Sequence, residues 1–204
     1  MTRAIFSLSR RGLMRATAWS GLVLGGLVPA GVSLAAGPEA ALDRREGKME
    51  PLTAAEAAKF QPLARGVEAE SFAVTLPSGQ RHLFRVSGGK KGAATVEAIG
   101  PGGATNSVSI MEGDSPVPYL QSKQAALSIS AATLSCGGFW ACFFPCMIAK
   151  VGAGIWNNLK NNWLNCWNQA VSKKYWYQKI AKFLACICSL PYGTYAISCF
   201  FSCR

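Results

Sequence analysis

The hydrophobic pattern of this chain changes period once, between residues 113 and 136. Before that point, apolar side chains recur at every second position. Phe72, Val74 and Leu76 alternate with other residues, Pro77-Ser78-Gly79-Gln80 has turn composition, and His82, Phe84 and Val86 alternate on the return. A period of two marks a strand with one buried face, so the stretch predicts a hairpin. Residues 94–99 and 106–112 predict a third and a fourth strand, separated by the breaker Gly100-Pro101-Gly102-Gly103. Upstream, Thr53-Ala54-Ala55-Glu56 is a capping box, which predicts a short helix ending before Pro62.

After residue 136 the period becomes helical. Residues 155–171 give the clearest case. Trp156, Leu159, Trp163, Cys166, Trp167 and Ala170 fall at i, i+3, i+4 and i+7 spacing, while asparagines and Lys160 fill the other face. Residues 173–188 repeat the pattern, with Trp176, Ile180, Phe183, Leu184 and Ile187 set against Lys174, Lys179 and Lys182. Residues 139–148 are apolar almost throughout, with Pro145 in the middle. Leu190-Pro191-Tyr192-Gly193 fits a type I turn, with proline second and glycine fourth, and leads into a last short helix over 194–203. The expected fold class is therefore α+β: a small β-meander followed by a small α-helical domain.

Composition sharpens the division. The chain has 204 residues and a net charge of +11. Residues 1–36 carry four arginines and no acid, and residues 37–135 carry ten bases and ten acids. Residues 136–204 carry seven bases and no acid, together with all eight cysteines, fifteen aromatic side chains and five of the six tryptophans. Positive charge thus sits at the two ends, separating a targeting peptide, a balanced spacer and a polycationic effector.

Residues 1–36 have the three parts of a signal peptide: Arg3, Arg10, Arg11 and Arg15, then an uncharged run over 16–34, then small residues. The glycines, Pro29 and the small-residue end favour cleavage over a membrane anchor. Ser9-Arg10-Arg11-Gly12-Leu13 resembles the twin-arginine motif, in which Ser9, Arg10, Arg11 and Leu13 form the export signal; the competing reading is that the arginines only supply charge. The expected domains are 1–36 signal, 37–119 propiece with short helix and meander, 120–135 linker and processing region, and 136–204 effector. The expected location is extracellular.

For an exported chain, such cysteine density reads as a disulfide framework involving Cys136, Cys142, Cys146, Cys166, Cys186, Cys188, Cys199 and Cys203. Cross-links would make up the limited core of so small a domain. Cysteines four apart share a helix face, so Cys142/Cys146 and Cys199/Cys203 could zip two antiparallel helices together. Cys186 and Cys188 lie roughly 200° apart on a helix and should reach different partners, one of them on the Cys166 helix. Spacing does not choose among the pairings.

Other chemistries find little support. The tail has neither C-x2-C knuckles nor histidine for zinc, and no C-x-x-C for redox catalysis. His82 is the only histidine and reads as a strand residue. No phosphate loop or nucleic-acid reader motif is present, so neither an enzyme, a cofactor nor a nucleic-acid partner is expected. The expected partner is an anionic membrane surface. Lys160, Lys173, Lys174, Lys179 and Lys182 would be drawn to headgroups, and Trp156, Trp163, Trp167 and Trp176 would seat at the interface or pack the core.

The layout of a twin-arginine-type signal, a propiece without cysteine and a C-terminal cysteine-rich domain containing Cys142-x3-Cys146 resembles that of the halocin-type cysteine-rich bacteriocin precursors. The resemblance implies a secreted peptide toxin exported by the translocation machinery and freed by a processing protease. It also implies that the propiece sometimes protects the producer. An uncleaved envelope protein with a membrane-associated tail is the alternative.

Overall fold

Alternation in the first half produces a five-stranded antiparallel sheet. In the computed structural model, which describes residues 45–88, 92–121 and 138–203, strands β1 (Lys48–Glu50), β2 (Ala69–Thr75), β3 (Arg81–Gly88), β4 (Ala93–Ile99) and β5 (Thr105–Met111) lie in sequence order. The signal peptide, most of the linker and Cys136 fall outside the described residues. Register puts Phe72 opposite Phe84, Val86 opposite Val96, and Val96 opposite Val108. Because side chains alternate across a strand, these residues share one face. Phe72 and Phe84 stack there with centroids 5.2 Å apart.

The opposite face carries Ala73 and Leu83 beneath Phe60. It is finished by ion pairs. Arg81 reaches Glu50 and Glu56, and Arg85 bonds Glu97 at 2.7 Å while lying 4.8 Å from the Phe60 ring centroid. The capping box at Thr53 opens helix α1 (Ala54–Ala57) as its sequence expects. Arg81 holds the Glu56 carboxyl down to about 2 by hydrogen bonding. Sequence reading missed β1, a three-residue polar strand, and helix α2 (Val117–Gln121), a five-residue helix anchored by buried Leu120. Neither is long enough to show a period.

The second half folds into α3 (Gly138–Val151), α4 (Ala153–Ala170), α5 (Trp176–Ser189) and α6 (Gly193–Ser202). The six residues of the expected α4 stripe are its buried residues. Between α5 and α6 the Gly193 amide donates to the Leu190 carbonyl at 2.9 Å, closing the expected four-residue turn. Its type differs from expectation, however. Tyr192 has φ 67° and ψ 14°, which is the third position of a type II turn. Gly193 is needed for a different reason: a Cβ there would lie 2.7 Å from the Cys188 carbonyl carbon and closer still to its oxygen.

The two halves share a core. Phe72, Val74, Phe84, Val86, Val96 and Ile110 of the sheet form one cluster with Trp140, Phe143, Trp163, Ile180, Phe183 and Phe200 of the helices. The described residues fall in one compact unit. The expected boundary between propiece and effector is thus a change of secondary structure without a break in packing. A sheet with one uncovered apolar face and helices with excess apolar surface satisfy each other. Helix α5 is the centre of this arrangement, touching β1 to β4 as well as α4 and α6.

Candidate functional site

The cysteine-rich helices are the candidate site, and their geometry begins with sulfur. Cys142 bonds Cys203 and Cys146 bonds Cys199, so the i and i+4 cysteines of α3 meet those at the end of α6 in antiparallel order. Cys166 of α4 bonds Cys186 of α5. The three bridges among the described residues lie within residues 138–203, and none joins these helices to the sheet.

Among the described residues Cys188 is the cysteine without a bridge, and it is buried. Helical geometry turns Cys186 toward α4 and leaves Cys188 on the far side, while the six bridged cysteines are used up among themselves. Burial pushes its thiol up to about 12, so it is inert rather than reactive. Cys136 lies outside the described residues.

Of the two places expected for the tryptophans, core and membrane interface, the intact chain puts three in the core. Trp156, Trp163 and Trp167 are 2%, 0% and 6% exposed in the intact chain. Trp156 meets Trp163 edge to face at 5.4 Å, Phe144 packs on Trp156, and Trp167 packs on Phe183. They are the helices' own core, stabilised by area burial and ring geometry. Trp176 is half-buried, and its indole N–H donates to the Ile110 carbonyl at 2.9 Å. The Trp163 indole nitrogen has no hydrogen-bond partner.

The cations remain outward. Lys150, Lys173 and Lys174 are exposed, and Lys160, Lys179 and Lys182 are half-buried. No acidic residue occurs on these helices, so their field is uniformly positive. Among the described residues no helix is long and apolar enough to cross a membrane. No group of three potential metal ligands occurs among them either.

Sequence reasoning missed the seam between helices and sheet. There the Trp140 indole donates to the Asp114 carbonyl at 2.7 Å, and Asn106 donates to the Phe200 and Cys203 carbonyls at 2.7 and 3.1 Å. The Tyr177 hydroxyl donates to Glu68 at 2.8 Å, and burial with this carboxylate pushes the phenol up to about 12. His82 sits at the same seam, its ring 6.0 Å from Phe201. Its Nδ1 has no partner, and burial lowers its pKa. One signal was present in the sequence: an apolar strand face and buried indoles both demand partners.

No family model matches the chain, and no curated protein or solved structure matches it either. The functional reading therefore rests on this chain's own chemistry.

Proposed function

We propose that this chain is the precursor of a secreted bacteriocin-type antimicrobial peptide whose cross-linked helices act on anionic membranes. The observation that carries this reading is where the covalent bonds fall. Among the described residues three disulfides knit α3 to α6 and α4 to α5, and none crosses to the sheet. A cut between residues 120 and 136 would leave a cationic helical unit bonded to itself and held to the sheet only by noncovalent contacts.

The burial pattern changes which side chains would meet lipid. Trp156 and Trp163 belong to the interior of the helical unit. The surface uncovered on separation is the sheet-facing one, including Phe200 (5.7 Å from Phe84) and Tyr177, whose ring lies against Gly88. Lysines would draw this unit to headgroups, and the uncovered aromatic face would enter the interface.

The alternative is an uncleaved cell-envelope protein, and the shared core is the specific observation in its favour. Mass analysis of culture supernatant under non-reducing conditions separates the two. The toxin reading expects a fragment beginning between residues 120 and 136 with its bridges intact. That fragment should release dye from anionic vesicles at low salt and lose this activity as salt rises. Recovery of only the joined chain, or dye retention at low salt, refutes the toxin reading.

A further inference from the structure

His82 is the chain's only histidine, and the fold buries it between the sheet and α6. It shares the helix-facing side of β3 with Phe84 and stands opposite Val74 of β2. Its ring centroid lies 6.0 Å from that of Phe201. Gly100 closes a third side, where a Cβ would lie 3.3 Å from Phe201 Cζ and 3.6 Å from His82 Nδ1. Nδ1 is buried there without a hydrogen-bond partner. The Ala104 carbonyl, also beside Gly100, already accepts from the Gly100 amide at 2.7 Å.

Among the described residues no charged side chain faces this point, and burial alone lowers the imidazole pKa. On β3 itself, Arg81 and Arg85 point to the opposite face. There Arg81 reaches Glu50 and Glu56, and Arg85 bonds Glu97 of β4. Glu70 of β2 shares the helix-facing side but stands opposite Val86, about 13 Å along the strand from Val74. Lys182 of α5 stands with Glu70 and Phe72 around a separate cleft. Arg45 and Glu46, before β1, are exposed, as is Lys150 of α3. Neither β5 nor residues 193–203 carry a charged side chain.

A neutral imidazole suits this place and an imidazolium does not. The neutral ring carries one N–H, whereas the cation carries an N–H on both nitrogens. The Nδ1 proton would be buried beside Phe201 and Gly100 with no acceptor, and its charge would have no counter-ion. Movement of α6 away from the sheet is the route by which water can reach it, since no bridge among the described residues ties α6 to the sheet. We propose that His82 makes the seam between the sheet and α6 an acid-sensitive latch, closed at neutral pH and loosened when the imidazole takes a proton. The proposal concerns the joined chain and does not depend on the toxin reading. Its direction follows from linkage. The open or unfolded chain, with the ordinary value of 6.5, binds the proton more readily than the closed one, so stability is complete above 6.5 and falls as pH drops below it.

A single histidine makes the test clean, because no other side chain of ordinary pKa titrates between about pH 7.5 and 5.5. Urea unfolding of the intact oxidised chain should give an unfolding constant several-fold larger at about pH 5.5 than at about pH 7.5. The ceiling is about tenfold, set by the one-unit gap below the ordinary histidine value. His82→Phe should abolish this dependence, with far-UV circular dichroism checking that the variant folds. Imidazole NMR of the parent chain needs no variant, and the ring should titrate lower in the folded chain than in urea. As it titrates, the Asn106 side-chain amide, which bonds the Phe200 and Cys203 carbonyls, should broaden before the backbone amides of β2 and β3 do. A His82→Phe chain as acid-sensitive as the parent, or a folded-chain imidazole that titrates where the unfolded one does, overturns the proposal. So does an acid transition that leaves the Asn106 amide sharp.

Discussion

Replacing Gly193 with alanine adds one methyl group to the first residue of α6, and the structure makes this a severe change. The new Cβ would lie 2.7 Å from the Cys188 carbonyl carbon and 3.3 Å from its Cα, with the carbonyl oxygen nearer than either. Ordinary contact begins at 3.4 Å, so the carbonyl carbon alone demands about 0.7 Å of displacement, and the oxygen demands more. Both sides of the clash are backbone, and no flexible side chain can swing away. Nor can α6 drift freely, because Cys199 and Cys203 tie it to α3. The turn offers little slack either, with Tyr192 already at positive φ. Overpacking a close-packed site costs about 1–3 kcal/mol, and rigid surroundings place this case near the top, at about 3 kcal/mol.

Gly154 provides the control. It lies in the first turn of α4, has an ordinary φ, and nothing would come within 4 Å of an added Cβ. Alanine there restricts the unfolded chain and should stabilise by about 0.5–1 kcal/mol. Urea unfolding of the oxidised chain, followed by tryptophan fluorescence and circular dichroism, measures both variants, and coincident transitions license the comparison. The two glycine-to-alanine changes should move the midpoint in opposite directions. A Gly193→Ala chain within about 0.5 kcal/mol of the parent would refute the close-approach argument.

Two further outcomes follow from sulfur. Cys188 is neutral and buried, and burial pushes its thiol up to about 12 from the ordinary 9.0. An ionisation suppressed by folding makes stability fall as pH rises through 9 toward 12, and Cys188→Ala should flatten that alkaline loss; an unchanged slope in pH-dependent urea midpoints contradicts it. Cys142–Cys203 and Cys146–Cys199 join the same two helices with sequence separations of 61 and 53. With one bridge left, the other closes only a short additional loop, so the first paired Cys→Ala removal should cost about 3 kcal/mol and the second about 4 kcal/mol. Equal, additive losses in a double-mutant cycle would count against the zipper.

Legibility in the sequence followed the strength of each local signal. β2 to β5 were readable because apolar residues such as Phe72, Val74, Phe84 and Val86 alternate along them, although β3 is buried on both faces, and the α4 stripe was readable because Trp156, Leu159, Trp163 and Trp167 repeat at helical spacing. The antiparallel zipper was readable as a possibility from paired i, i+4 cysteines. The turn at Pro191 was located but mistyped, since glycine at its fourth position suited type I. Its real constraint is the carbonyl of Cys188, a contact between helices that no local rule contains. The tryptophans were left open between core and interface, because helical spacing places Trp156, Trp163 and Trp167 on one face without saying which rings cover it.

The shared core also constrains any release of the helices. Covalent strength is concentrated within residues 138–203, so the seam is where the two halves can part without breaking a bond other than the cut peptide. Parting in water would expose Phe200, Phe84 and the sheet-facing side of α5, at roughly 2–3 kcal/mol for each large apolar side chain uncovered. It would also leave the carbonyls of Phe200 and Cys203 without Asn106, and Glu68 without Tyr177, although water can replace those bonds. The apolar term therefore dominates, and it is the term that a membrane removes. At a bilayer surface, hydrocarbon can cover the sheet-facing side of the helices as the sheet did. On the proposed reading a cut chain is stable as a noncovalent pair in solution and comes apart where lipid substitutes for β-sheet. The sheet then acts as a water-soluble stand-in for the target.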